Sequence, residues 1–402
     1  MVTAGYRPRL LHRQSNLILT KLHASHKTYS LPPRLQTGTF ATLAGGGHNA
    51  HYRSHQPGAF CRVHQVTVIT PQNFLVYVPN QVSTNLSGYL STTVNGALTA
   101  LPGFPLATGG LNPIALAADA AGHFAYVADI ANGLIYGYAI DAASGSLTAI
   151  PGSPFPSGGD QPSAVLVDPA GHYLYVANRS SNDISVFHIG ASGSLAQIAG
   201  SPFPAGNFVF AIAMDHTGSF CYAANYLDNT LWAYKVNTDG SLTALQGSPY
   251  ATPRVPYALA VDPLDRFVLV TSAGTEAITT FSMNSSTGAL TPGSVLPLPD
   301  NTGAFGIVID PTGRFAYVAD EAASNVAGYS IDASTWALQA LPGSPFGGVQ
   351  YPLSIAMDSS GGYVYLPNPV QNTVSGLHVD SNTGALTSVP GSPFPAGTPL
   401  SR

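Results

Sequence analysis

The chain is poor in charge, in cysteine and in long apolar runs. Only 8% of its 402 residues are Asp, Glu, Lys or Arg. Its two cysteines, Cys61 and Cys221, lie far apart, one in the N-terminal region and one mid-chain. No disulfide is expected between them, and they supply too few ligands for a zinc site. No run of 18 or more apolar residues occurs, so no transmembrane helix is expected. Acidic residues are missing altogether before Asp119. Residues 1–64 instead hold eight Lys or Arg and seven of the twelve His.

The remainder, from residue 65, carries six basic residues against nineteen acidic ones, a balance of −13. That sign excludes binding nucleic acid or an anionic membrane through bulk charge. Residues 1–62 read as a basic, disordered arm. Leu17-Ile18-Leu19 is too short for a signal-peptide core and Lys21 interrupts it. The acid-free, Ser-containing make-up resembles a transit peptide or an upstream extension of the reading frame. His48, His51 and His55 have a spacing that could place three ligands on one helix face. Gly45-Gly46-Gly47 just before them, and the lack of an apolar stripe, argue against that helix. The triple glycine is not a phosphate loop, because no Gly-Lys-Ser/Thr follows. No metal and no cofactor is expected.

What the chain has in abundance is glycine and proline, 42 and 33 residues, and a repeat. The unit from Pro162 to Phe203 holds four short apolar runs separated by turns. Its landmark tyrosine recurs at Tyr77, Tyr126, Tyr175, Tyr222, Tyr317 and Tyr365, with Leu269 as the one replacement. A leucine after the second turn recurs at Leu98, Leu147, Leu195, Leu242, Leu290, Leu338 and Leu386. Both series count seven units. Each run is short, rich in Val, Ile, Ala, Tyr and Phe, and bounded by Gly, Pro, Asn or Asp, which is the strand signature. A unit of four antiparallel strands cannot bury both faces alone and must stack on its neighbours. The predicted fold class is all-β: a seven-bladed β-propeller of four-stranded antiparallel blades. Blades are placed at about 63–106, 113–155, 162–203, 210–250, 256–298, 305–346 and 352–394, within a propeller spanning 63–398. The ends must meet to close the ring, and the sequence leaves open whether they exchange strands.

Asp168-Pro169-Ala170-Gly171 and Asp310-Pro311-Thr312-Gly313 fit type I turns. Asp119, Asp215, Asp262 and Asp358 hold the same first position. These six carboxylates are expected to accept hydrogen bonds from their own turns rather than to do chemistry. Asn80, Asp129, Asn178, Asn225, Ser272, Asp320 and Asn368 end the second strands and are expected to cap the turns that follow. Ala115, Ala164, Ala213, Ala260 and Ala356 fit crowding near the axis.

The run Asp-Pro-x-Gly-x-x-x-Tyr-Val-Ala-Asn, with Thr-Gly-x-Leu and Gly-Ser-Pro-Phe, resembles the seven-bladed lactonase-like propellers. These are relatives of propeller-type 6-phosphogluconolactonase and carboxy-muconate cyclase, and they share the Tyr-Val-Asn type of repeat. The resemblance covers about residues 66–398. It implies a lactone-hydrolysing or lactone-forming enzyme, and an exported protein although no signal peptide is visible. Its motifs are turn and core residues, so the site must be argued separately.

In this strand order the segments entering each first strand share a face with the loops following each second strand. This is the loop face; the Asp turns and Gly-x-Leu turns form the turn face. Charged residues of the loop face are Asp129, Asp160, Arg179, Asp183, Asp228, Arg254, Glu276, Asp300, Asp320 and Glu321. Lactone opening needs a base or activated water and a cation for the developing oxyanion. Arg254 and Glu276 come from blade five, Glu321 from blade six and Arg179 from blade three. These four are the candidate catalytic residues. No histidine falls on that face within the repeats, and a phosphorylated substrate would call for more cations. The expected function is a lactonase-like hydrolase, acting as a monomer on a small, uncharged lactone at the channel mouth. The alternative is a non-catalytic, exported propeller that binds a glycan or protein partner.

Overall fold

The computed structural model describes residues 67–69, 74–92, 94–299 and 303–397. The arm 1–62, His48, His51, His55, Cys61 and Asp300 lie outside the described residues. All described residues fall in the second of two compact units of the chain, Pro57–Arg402. That unit holds seven antiparallel sheets, the blades of the propeller, and no helix among the described residues.

Blade three shows the plan. Its first strand, Pro162–Val167, pairs with Tyr173–Asn178, which pairs with Asp183–Ile189. The outer strand comes in two pieces, Leu195–Gln197 and Phe203–Pro204, both paired to the third strand. The prediction of four strands therefore needs refining to four or five per blade. The Pro and Gly residues between the two pieces interrupt the ladder, since proline has no N–H to donate. Ser201-Pro202 within that break is cis, as are its counterparts in five other blades. Blade five lacks the Ser-Pro pair, and its outer strand Leu290–Pro297 runs on with one register shift.

Seven apolar cores lie between neighbouring blades. The core closing the ring joins Val76, Tyr89 and Leu98 of blade one to Tyr363, Tyr365 and Phe394 of blade seven. The two ends exchange no strand among the described residues: each blade is built from one continuous stretch. Closure rests on side chains instead. The Tyr89 hydroxyl donates to the Pro395 carbonyl, and Gly397 N–H donates to Ser87 Oγ at 2.8 Å.

The landmark tyrosines are wholly buried, and each reaches the next blade. Tyr77 donates to the Gly145 carbonyl at 2.6 Å and Tyr126 to Gly193 at 2.8 Å. Tyr175, Tyr222 and Tyr317 donate to Gly240, Gly288 and Gly384. Tyr365 donates across the closure to Gly96 at 2.9 Å. An unmade bond here would leave a carbonyl buried without a partner, which costs about 1–3 kcal/mol. The glycines are needed for a second reason. A Cβ at Gly193 or Gly240 would lie 2.5 Å from the ring of Phe124 or Tyr173 in the preceding blade.

One interface departs from this rule. Leu269 of blade five has no hydroxyl, and Trp336 occupies the glycine position of blade six. Trp336 keeps the left-handed backbone, φ 59°, and its ring stacks on Phe267 with centroids 5.3 Å apart. The Arg266 guanidinium sits 4.9 Å from the Trp336 centroid and is held by Asp262 at 2.6 Å. Stacking and a cation–π contact replace the hydrogen bond.

The turn aspartates behave as expected. Asp168 Oδ1 accepts from the N–H groups of His172 and Tyr173, both at 2.7 Å. Asp310 Oδ1 likewise accepts from Arg314 and Phe315.

Candidate functional site

Each first strand pairs on one side only, so its other edge faces the axis. A cavity of about 340 Å³ runs along that axis. The third residue of the first strands of blades two to six lines it, Ala115, Ala164, Ala211, Ala258 and Gly306, with Ser354 just ahead of the short first strand Ala356–Met357 of blade seven. Of the small residues singled out from sequence, Ala115, Ala164 and Ala356 line the cavity; Ala213 and Ala260 do not. A bulge at the start of the strand shifts the alternation. Gly306 is required by close approach, because a Cβ there would lie 2.7 Å from Ser354 Cα.

The same bulge falls at the second position in blades two to six, where register shifts are recorded. Bulges re-aim side chains. The residues placed there are Ile114, Ser163, Phe210, Tyr257 and Phe305. Ser163 is small and already donates to the Val209 carbonyl at 2.9 Å. The other side of the ring is aromatic. The Tyr257 ring lies 4.5 Å from Phe210 and 4.3 Å from Phe305. Phe208 and Tyr226 extend the arc, at 5.4 Å from one another. This aromatic arc on blades four to six was missed in the sequence, because the position varies from blade to blade.

Around the arc stand the charged candidates. Asp320 pairs in register with Ala304, directly before Phe305. Its side chain is buried, 4% exposed, and among the described residues it accepts from Ala323 N–H at 3.5 Å. Burial, helped by the charges of Glu276 and Glu321, pushes its carboxyl up to about 7. Asp129, at the equivalent place in blade two, differs sharply. It accepts four backbone N–H bonds, from Leu111, Asn112, Ala131 and Asn132.

Glu276 is half-buried and holds φ 48°. The other blades carry Thr84, Gly133, Asn182, Asn229, Ser324 and Asn372 at this left-handed position. Glutamate has no local hydrogen-bonding advantage in that region, where a side chain costs roughly 1–2 kcal/mol. Glu321 is half-buried, and its N–H donates to the Gly303 carbonyl at 3.1 Å. Arg254 is exposed, and its carbonyl accepts from Gly274 N–H at 3.1 Å. Arg179 donates from Nε to Gln161 at 3.0 Å and lies 5.0 Å from the Phe208 centroid. The charges of Glu276 and Glu321 thus reach Asp320, while Arg179 stands beside Phe208 at the other end of the arc. Ion pairs join His123 to Asp119 and Arg266 to Asp262.

The residues ending the second strands are buried rather than mouth-lining. Asn178 and Asn368 bond the third strand through Ser185 and Ser375, while Asp129 caps the turn that follows it. Unpaired buried side-chain atoms are spread from blade two to blade seven among the described residues: Asn112 Oδ1, Asn178 Oδ1, Asn225 Oδ1, Ser272 Oγ, Thr279 Oγ1, Asn325 Oδ1 and Ser354 Oγ. Among the described residues no cluster of His, Cys, Asp and Glu fits a metal ion, and no helix is long and apolar enough to cross a membrane.

The family described as "Lactonase, 7-bladed beta-propeller" matches residues 67–210, 197–299 and 295–401. The chain belongs to this lactonase propeller family. Solved structures agree on the fold. A candidate 6-phosphogluconolactonase from Bacteroides uniformis is 16% identical with TM-score 0.72, covering 82% of this chain and 98% of that one. A second, from Bacteroides fragilis, is 17% identical with TM-score 0.72, covering 82% and 97%. The periplasmic gluconolactonase of Pseudomonas aeruginosa is 20% identical with TM-score 0.69, covering 81% and 96%. No curated protein matches the chain. At these identities the likeness is one of fold, and within the lactonase propeller family the loops must supply the chemistry.

Proposed function

We propose that the protein hydrolyses a small, uncharged lactone at the loop-face mouth of blades five and six. The observation that carries this reading is the buried carboxyl of Asp320, raised to about 7 and flanked by Glu276 and Glu321. It stands one residue from the aromatic pair Tyr257–Phe305. A carboxyl titrating near neutral pH suits a reaction that needs a proton acceptor and then a proton donor. The lactone ring rests on the aromatic pair. Water attacks the carbonyl carbon and its proton passes to the carboxylate cluster of Glu276, Asp320 and Glu321. Arg254, and Arg179 from across the arc, are assigned to the developing oxyanion. The ring C–O bond then breaks, the alkoxide takes the proton back, and a hydroxy acid leaves. The small number of cations among the described residues of that face favours a neutral substrate over a phosphorylated one.

A panel of lactones assayed with wild type, Arg254→Ala and Glu276→Ala tests this. Turnover should fall at least tenfold in both variants. Equal turnover in all three proteins, or none in any, contradicts it. The aromatic arc also favours a second reading, a non-catalytic propeller stacking a glycan ring. Glycan-array binding without lactone turnover would select that reading.

A further inference from the structure

We infer that residues 352–355, where the chain enters blade seven, form a strap that parts from the blade while the propeller stays folded, and so moves the blade-seven wall of the axial cavity. This goes beyond the proposed reaction and holds whether or not the mouth cleaves a lactone. In blades two to five the third residue of the first strand pairs with the second strand. The pairs are Ala115 with Ala128, Ala164 with Ala177, Ala211 with Ala224 and Ala258 with Thr271. Blade seven stops short of this. Among the described residues its first strand pairs at Ala356 and Met357 alone, with Tyr365 and Val364. The same register, carried back two residues, would set Ser354 opposite Pro367.

Pro367 is the cause. Asp358 N–H donates to the Tyr363 carbonyl at 3.0 Å, so Tyr363 turns its backbone groups towards the first strand. Backbone groups alternate sides along a strand, so Tyr365 and Pro367 face the same way. Pro367 has no N–H to offer there, and its ring fills the place of the bond. The strap is instead tied at its ends. Before it, Gln350 N–H donates to Asn368 Oδ1 at 2.9 Å and Tyr351 N–H to Ser324 Oγ at 3.2 Å. After it comes the pairing of Ala356. In between, the strap leans on blade six, where a Cβ on Gly306 would lie 2.7 Å from Ser354 Cα. Ser354 is buried, and its Oγ has no partner among the described residues. Leu353, Ser354 and Ile355 all line the cavity, so a shift of the strap changes its width. Segments short of ladder bonds open well below the free energy of global unfolding.

The test is native-state hydrogen exchange of the intact chain, read amide by amide by NMR. Ser354 is buried, so fast exchange there reports movement rather than exposure. Its amide should exchange about a hundredfold faster than that of Ala164, its counterpart in blade three. Pro367→Ala restores the N–H and places the residue that Ala128, Ala177 and Ala224 already supply in other blades. It should slow Ser354 about tenfold, the worth of one ladder bond, and leave Ala164 unchanged. The Ile355 methyl, in the cavity wall, should change its chemical shift in the same variant as the strap settles on the blade. Three results would each overturn the inference: Ser354 exchanging no faster than Ala164 in wild type, Ser354 exchanging equally in wild type and Pro367→Ala, or an Ile355 methyl shift that the substitution leaves unmoved.

Discussion

Six blade interfaces are held by a tyrosine bonded to a glycine carbonyl; the interface between blades five and six is not. There Leu269 and Trp336 replace both partners, and Arg266 bridges Trp336 and Asp262. That same interface carries Glu276, Asp320 and Glu321 on its loop face, with Tyr257 against Phe305. The regular interfaces show what stability alone asks of the repeat. The irregular one has drifted at both ends, and the proposed chemistry sits on it.

The comparison can be broken most severely from the regular side. Gly288 holds φ 70°, and a Cβ there would run into the Phe220 ring. Gly288→Ala should cost about 3 kcal/mol or more, combining backbone strain with overpacking. Denaturant unfolding measures it. On the irregular side, Leu269→Tyr alone should cost about 2–3 kcal/mol by overpacking against the cluster that includes Trp336. Combined with Trp336→Gly, which restores the tyrosine–glycine pair of the other interfaces, the loss should shrink by about 2 kcal/mol. A double-mutant cycle reads that coupling, and additive losses would show that the two replacements are independent.

A milder probe is Tyr175→Phe, which leaves the Gly240 carbonyl unpaired and should cost about 1–2 kcal/mol. A further probe concerns pH. Asp320 takes up its proton more readily folded than unfolded, because its carboxyl is raised from 3.8 to about 7. The folded state therefore loses stability relative to the unfolded one as pH climbs from about 4 through about 7. Asp320→Asn removes that slope. Relative to wild type it should melt a few degrees higher at pH 8 than it does at pH 5, by calorimetry.

Much of this was legible in the chain because it is local or periodic. Seven units follow from the tyrosine and leucine landmarks, and the role of Asp168 follows from the Pro and Gly beside it. The tyrosine–glycine bond was not legible, since its partners lie 65–68 residues apart in successive blades. Yet a trace was there. Leu269 and Trp336, the two exceptions, stand 67 residues apart, the spacing of the bond they replace. The aromatic arc left no such trace. Tyr257 and Phe305 read as ordinary strand residues until the bulge turns them to the mouth. Asp320 looked like Asp129; among the described residues one N–H group reaches the first and four reach the second.

That pair of aspartates offers the most direct test. The pH dependence of lactone hydrolysis should be measured for wild type, Asp320→Asn and Asp129→Asn. Wild type should show kcat/KM rising through pH about 7 as Asp320 ionises. The inflection should survive in folded Asp129→Asn and vanish in Asp320→Asn. An identical profile in all three proteins would contradict the assignment of chemistry to the blade five–six mouth.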